Sequence, residues 1–202
     1  LTGAGDDTFC AGNDLKPNEA LWVPDSGFAG LTHRKDRQKP VIAAVNGAAM
    51  GGGMEIALAC DLIVASEDAV FALPEVKVGV IAGAGGIQRL TRQIPRKQAM
   101  EMLLLGDTVT ADRAMEMGFV NWVVPSSAVM DTARKVAAKL LSVSPNSIRC
   151  TLQTIRETEQ FSDVVSAVRH PSKALNRVLN SEDMLEGMKA FAQKRTPEWK
   201  GR

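Results

Sequence analysis

Residues 41–75 read VIAAVNGAAMGGGMEIALACDLIVASEDAVFALPE. The opening run, Val41-Ile42-Ala43-Ala44-Val45, is apolar and rich in β-branched residues, the pattern of a strand buried on both faces. Asn46-Gly47 breaks it, and a linker of small residues leads to Gly51-Gly52-Gly53. Residues 54–60 are compact, apolar and made mostly of good helix formers. Strand, glycine cluster, helix is an order that leaves backbone N–H groups free at a helix N-terminus. Those groups and the helix dipole attract negative charge, such as an enolate oxygen. Glycine at this place lets another molecule approach the backbone closely.

Glu55 lies one turn into that helix, and Glu75 follows Phe71-Ala72-Leu73-Pro74. Both carboxylates have mostly apolar neighbours in sequence. Buried together, they would raise one another's pKa by desolvation and repulsion, a state suited to proton transfer. Each has a plainer alternative. Glu55 would emerge on the solvated side of its helix, and Glu75 would be an ordinary acid at a helix start after proline.

Outward from the centre, residues 62–65 and 70–72 read as strands, separated by a turn at Ser66-Glu67-Asp68. Pro74 fixes φ just before Glu75 and makes a rigid turn there. Residues 76–92 contain Gly79, Gly83, Gly85 and Gly86 ahead of a helical run. This second glycine turn is again expected to leave N–H groups facing a ligand, but GAGG is neither GxGxxG nor a P-loop. Residues 95–105 read as a helix with Pro95 at its start. Thr110 is a good N-cap for residues 111–117, with Gly118 at C′, and residues 119–124 return to a short strand. The methionines at 100, 102, 115 and 117 read as core filler rather than ligands.

From residue 128 onward the strand signal vanishes, and helices are expected at 129–141, 145–160, 161–179 (broken near Pro171) and 181–194. Ser144 caps the second, with Pro145 at its first position. Before the centre, residues 1–5 read as the end of a buried strand and 6–8 as a loop. Residues 16–40 begin as a loop and turn basic after Leu31. Leu21, Trp22, Val23 and Phe28 read either as a cover for a substrate chain or as anchors of a surface loop. His33, among Arg34, Lys35 and Arg37, reads as a solvated residue whose protonation its neighbours discourage.

The chain has 202 residues, 45% of them hydrophobic and 23% charged, which suits one sizeable domain or a domain with a helical appendage. A net charge of +1, with Lys and Arg spread along the chain, gives no basic surface for nucleic acid. Cys10, Cys60 and Cys150 are far apart and only His33 and His170 are present, so no metal ligand spacing exists and no metal is expected. Scattered cysteines fit a reducing compartment. No apolar run approaches the roughly 20 residues of a membrane span.

GAAMGGGMEIALACD and FALPEVKVG resemble the two signature blocks of the crotonase (enoyl-CoA hydratase/isomerase) superfamily, and Phe9-Cys10-Ala11-Gly12-Asn13-Asp14-Leu15-Lys16 resembles its F-x-A-G-x-D-L/I-K block. The blocks stand in the family's order. The resemblance implies an α/β fold, a spiral of repeated strand–strand–helix units over residues 1–127, with a helical trimerisation region over 128–202. It also implies a leading segment of strands and a helix ahead of Leu1.

The backbone N–H groups of Asn13 and Gly52 would form an oxyanion hole, with Glu55 and Glu75 as the catalytic pair. The family often has Ala or Gly at position 13. Asn keeps the N–H and narrows the pocket, and its local alternative is an Asx-turn. Substrate contacts would come from Ala11, Asp14, Leu15, Lys16, Gly53, Pro74 and Gly83. Phe191-Ala192-Gln193-Lys194-Arg195 resembles the family's C-terminal F-x-x-K-R, which puts Phe191 near a CoA adenine and Lys194 on a phosphate of a neighbouring subunit. The alternative for Lys194 is a basic helix end that supports the dipole.

The activity so implied is hydration or dehydration of an acyl-CoA, with no cofactor beyond the coenzyme A of the substrate. A carnitinyl-CoA dehydratase or an enoyl-CoA isomerase shares the fold. An RNA-binding member or an inactive scaffold is the non-enzymatic alternative. The expected assembly is a homotrimer or hexamer, in the cytoplasm or, in a eukaryote, the mitochondrial matrix.

Overall fold

A computed structural model describes residues 1–14 and 24–202. Leu15, Lys16, Leu21, Trp22 and Val23 lie outside the described residues. The chain divides into two units, one of Leu1–Lys35 with Val41–Lys135 and one of Asp36–Pro40 with Val136–Arg202.

In the first unit the elements are β1 (Thr8–Cys10), β2 (Ile42–Val45), β3 (Ala48–Met50), α1 (Gly52–Ala59), β4 (Leu62–Ser66) and β5 (Val70–Ala72). A 3-10 turn at Pro74–Val78 follows, then α2 (Gly86–Gln93), α3 (Arg96–Leu105), β6 (Val109–Thr110), α4 (Ala111–Met117) and β7 (Trp122–Val124). Strands alternate between two sheets, β1-β3-β5-β6 and β2-β4-β7. All pairings are parallel except β5–β6. The turns β2-β3-α1 and β4-β5-α2 each add one strand to each sheet before a helix, the strand–strand–helix repeat expected from the sequence, while in the last turn α4 stands between β6 and β7. The core lies inside this coil. Phe71 is fully buried and meets Phe119 edge-on, with ring centroids 5.4 Å apart.

Three local expectations differ. Residues 48–50, read as a linker, form β3. Two alanines and a methionine carry little strand propensity, and parallel neighbours on both sides, β1 and β5, make the strand. Residues 1–5 form no strand. Leu1 still behaves as an edge partner of β2, since its N-terminus donates to Ile42 O at 2.9 Å and its carbonyl accepts from Ala44 N–H at 2.8 Å. Of residues 119–124, only Trp122–Val124 are strand, because Phe119 and Val120 complete the C-terminal turn of α4 on the Ala114 carbonyl. The caps fall as expected: Thr110 Oγ1 accepts from Arg113 N–H, and Gly118 takes φ 101°.

Helix α5 (Val129–Leu141) passes from the first unit into the second. The second unit holds α6 (Pro145–Thr158), α7 (Val164–Arg169), α8 (Lys173–Leu179) and α9 (Glu182–Ala192). Pro171 interrupts the run between α7 and α8, as its missing N–H requires. Asp183, 2% exposed, accepts from Ser144 Oγ at 2.6 Å and from the N–H groups of Lys200 and Gly201 at 2.7 and 2.9 Å. It thereby anchors the C-terminal segment to α6 and α9. Among the described residues, no helix is long and apolar enough to cross a membrane.

Candidate active site

The site is built at the N-terminus of α1. Gly51 has φ 53° and ψ −121°, a combination that excludes a side chain, and it turns the chain from β3 into the helix. β1 crosses that first turn closely: a Cβ at Gly53 would stand 1.9 Å from the Cys10 carbonyl oxygen. The chain leaving β1 stays against the helix, so that a Cβ at Gly12 would lie 3.1 Å from Gly52 N. As the first residue of α1, Gly52 has no intrahelical acceptor for its N–H. Gly12, the residue before Asn13, and the Gly52 amide are thus neighbours, although they lie 40 positions apart in sequence. The Asn13 side chain donates to the Asp14 carbonyl at 3.3 Å. Ala11, Asn13 and Asp14 are exposed.

Glu55 is 3% exposed, so it does not emerge on a solvated face. Its Oε1 accepts the Gly86 N–H at 2.8 Å, which ties α1 to the start of α2. Burial pushes the carboxyl above its ordinary range. Backbone groups of Gly86 and Ala84, and the charges of Arg89 and His33, work against that rise by favouring the anion.

Glu75 comes from the adjoining layer. β5 runs parallel to β3, and Pro74 opens the 3-10 turn directly after it. A Cβ at Gly51 would stand 3.2 Å from Glu75 Oε1. Oε2 is buried and accepts no hydrogen bond from the described residues. Burial is the largest cause holding this carboxyl above its ordinary range. Its own backbone N–H opposes that shift, and the negative charge of Glu55 adds to it. The two acids therefore share one field but differ in support. Glu55 has donors and cations around it, whereas Glu75 has a bare buried oxygen, which favours the proton there.

The loop at residues 24–35 closes over this point. A 3-10 turn at Phe28–Gly30 sets the Phe28 ring so near Gly52 that a Cβ there would meet Cε1 at 2.6 Å. Thr32 is buried, and its Oγ1 accepts from Phe28 N–H at 2.8 Å. His33 is exposed as expected, yet it stands close enough for its charge to favour the Glu55 anion.

The second glycine turn departs from expectation. Three of its N–H groups are taken up internally: Gly83 donates to Ile81 O at 2.7 Å, Ile87 to Ala82 O at 3.4 Å, and Gly86 to Glu55. Gly83 itself is exposed. Phe191 and Lys194 belong to the second unit. Phe191 is 88% exposed at the end of α9, and Lys194 lies just beyond it with φ 51°. Among the described residues, no group of His, Cys, Asp and Glu side chains is placed to hold a metal ion.

Sequence reasoning missed Gly86, Arg89 and Thr32. The signal for Gly86 was present in the glycine turn but pointed to a ligand, because nothing local says that the acceptor is a carboxylate 31 positions earlier.

Similarity to known proteins extends over the whole chain. The whole chain, residues 1–202, matches the family described as enoyl-CoA hydratase/isomerase. It is 44% identical over 210 residues to the carnitinyl-CoA dehydratase of Proteus mirabilis (strain HI4320), covering 100% of this chain and 80% of that protein. An enoyl-CoA hydratase structure from Mycobacterium marinum superposes with a TM-score of 0.92 at 42% identity, covering 100% of this chain and 80% of that one. A carnitinyl-CoA hydratase structure from Mycobacterium avium gives a TM-score of 0.72 at 44% identity, with the same coverage. With these matches over its full length, and with the parallel two-sheet coil they share, this chain belongs to the enoyl-CoA hydratase/isomerase family of the crotonase superfamily.

Proposed function

We propose that this protein is a hydro-lyase of acyl-CoA thioesters, adding water across a 2,3-double bond or removing it. The observation that carries the reading is the pairing of two buried acids at the N-terminus of α1, with Glu75 Oε1 against Gly51 and within the field of Glu55. The N–H groups of Asn13 and Gly52 would bond the thioester oxygen and gain most as the enolate forms. A water between the acids loses one proton to Glu55 as its oxygen bonds to C3, and Glu75 delivers a proton to C2. The pair then holds its one proton on the opposite carboxyl and resets by passing it back. Dehydration runs these steps in reverse. The differing support of the two carboxyls favours this assignment of base and acid. No metal or redox group is required, and coenzyme A arrives with the substrate.

Dehydration of carnitinyl-CoA is the second reading, favoured by the 44% identity to a carnitinyl-CoA dehydratase. Isomerisation is disfavoured, since both positions carry an acid. We also propose a homotrimer or hexamer. Val164, Val168, Leu185, Met188 and Phe191 are all more than half exposed, an apolar set that a second copy would cover. In that assembly Phe191 and Lys194 would reach the CoA of a neighbouring subunit, while Ala11, Asp14, Leu15, Lys16, Gly53, Pro74 and Gly83 would line the acyl-CoA path. A panel of enoyl-CoA and carnitinyl-CoA substrates, followed by the absorbance of the conjugated thioester, tests the reading. Turnover of either class supports it, and inertness toward all of them overturns it.

A further inference from the structure

Arg89 sits on the first turn of α2, three residues after Gly86. Its guanidinium is half-buried and reaches in two directions. Nη2 donates to the Thr32 carbonyl and Nη1 to the Ala84 carbonyl, the latter at 3.3 Å. Ala84 opens the turn whose Gly86 N–H holds Glu55. Thr32 anchors the loop whose Phe28 ring lies on Gly52, through Phe28 N–H to Thr32 Oγ1 at 2.8 Å and Thr32 N–H to Phe28 O at 3.3 Å. One side chain therefore joins the mount of the candidate base to the cover of the candidate oxyanion donor. A planar fork with several N–H groups bridges two divergent carbonyls, whereas an ammonium on a flexible stem does not hold both in fixed geometry.

We propose that Arg89 is a positioning residue for the reaction, fixing both the Ala84–Gly86 turn that holds Glu55 and the loop that lays Phe28 on Gly52. This rests on the reading of Glu55 as the base. Among the described residues, the charged groups that act on Glu55 are Arg89 from α2, His33 from the loop and Glu75 from the 3-10 turn. Loss of the Arg89 charge removes one support of the Glu55 anion. The pH at which the base protonates then rises, and the acid limb of kcat/KM moves upward.

The test compares Arg89→Met, Arg89→Lys and Glu55→Gln in the full chain, using crotonyl-CoA hydration or carnitinyl-CoA dehydration, whichever the wild type performs. Arg89→Met is expected to lower kcat about 10–100-fold, the size of one or two lost charge-assisted hydrogen bonds. KM should stay within about threefold, and the acid limb should shift to higher pH. Arg89→Lys keeps the charge and so restores the limb, but it does not restore kcat. A merely structural role would not separate these two readouts. If only the lysine variant folds, a tenfold lower kcat supports the proposal and a wild-type kcat overturns it. A raised KM with unchanged kcat, an unmoved acid limb in Arg89→Met, or failure of both variants to fold also overturns it. If Glu55→Gln keeps wild-type turnover, the reading of the base falls. If Glu55→Gln is inactive while both Arg89 variants are unimpaired, only the present inference falls.

Discussion

Gly86→Ala perturbs the support of the candidate base. The Gly86 N–H donates to Glu55 Oε1 at 2.8 Å. A Cβ added at Gly86 would stand 2.8 Å from Ala82 Cβ, 3.1 Å from Glu55 Oε1 and 3.2 Å from Glu55 Cγ. Ordinary contact begins near 3.4 Å, so Glu55 must give by a few tenths of an ångström, while the contact with Ala82, under 3.0 Å, forces a larger shift. Ala82 is buried and its Cβ is fixed to the backbone, whereas Glu55 has torsions to turn. The carboxylate therefore turns away from its own contacts, and the turn from Ala82 to Gly86 shifts to clear the Ala82 methyl. A hydrogen bond to a charged group contributes about 1.5–3 kcal/mol, and a decade of rate corresponds to about 1.36 kcal/mol. We expect kcat to fall by about 10–100-fold. The Glu55 anion also loses a donor, so the acid limb of kcat/KM should rise in pH. Alanine is the better helix former at this first position of α2, but the contact with Ala82 forces the turn to shift, and thermal stability should fall by about 1–3 kcal/mol. The assay is steady-state hydration or dehydration of the acyl-CoA, with a pH profile and a melting curve on the same preparation. A well-folded variant with wild-type kcat and an unmoved limb would refute the reasoning.

Two further outcomes follow from the second unit. Burial alone would raise the Asp183 carboxyl, but the Ser144 hydroxyl and the N–H groups of Lys200 and Gly201 outweigh it and hold the carboxyl below its ordinary range. Its stabilising effect is thus present above the unfolded value, about 3.9 for Asp, and is lost as pH falls through the folded value. Asp183→Asn should destabilise the protein by about 1–3 kcal/mol at neutral pH and flatten this acid dependence. Equal melting curves for variant and wild type from neutral pH downward would contradict it. Lys194→Ala should raise KM for CoA esters about two- to fivefold, as loss of an exposed ion pair worth about 0.5–1 kcal/mol does, with kcat unchanged. An unaltered KM would remove Lys194 from the CoA contact.

The stretch at 41–75 carried most of the fold because its signals are local. A β-branched run, a glycine cluster and a run of helix formers each speak through their own residues, as do the caps at Thr110, Ser144 and Gly118. β3 was illegible for the opposite reason: Ala48-Ala49-Met50 becomes a strand only because β1 and β5 flank it. The glutamates were legible through their setting, one turn inside an apolar helix and just after Pro74. Their supports were not. That Gly86 holds Glu55, that Arg89 reaches Thr32, and that the charge of an exposed His33 reaches a buried acid all depend on contacts across 22 to 57 positions. A glycine turn announces free N–H groups, but only the packed neighbour decides where they point.

The most direct measurement is turnover of the acyl-CoA substrate by Glu55→Gln and Glu75→Gln beside the wild type, with the Kd of the thioester taken for each by calorimetry. Gln keeps the size of each side chain and removes its proton transfer. Each substitution should abolish most turnover while binding stays within a few fold of wild type. Full turnover in either variant, or loss of binding equal to the loss of rate, would contradict the account of a carboxyl pair moving protons beside the Gly52 amide.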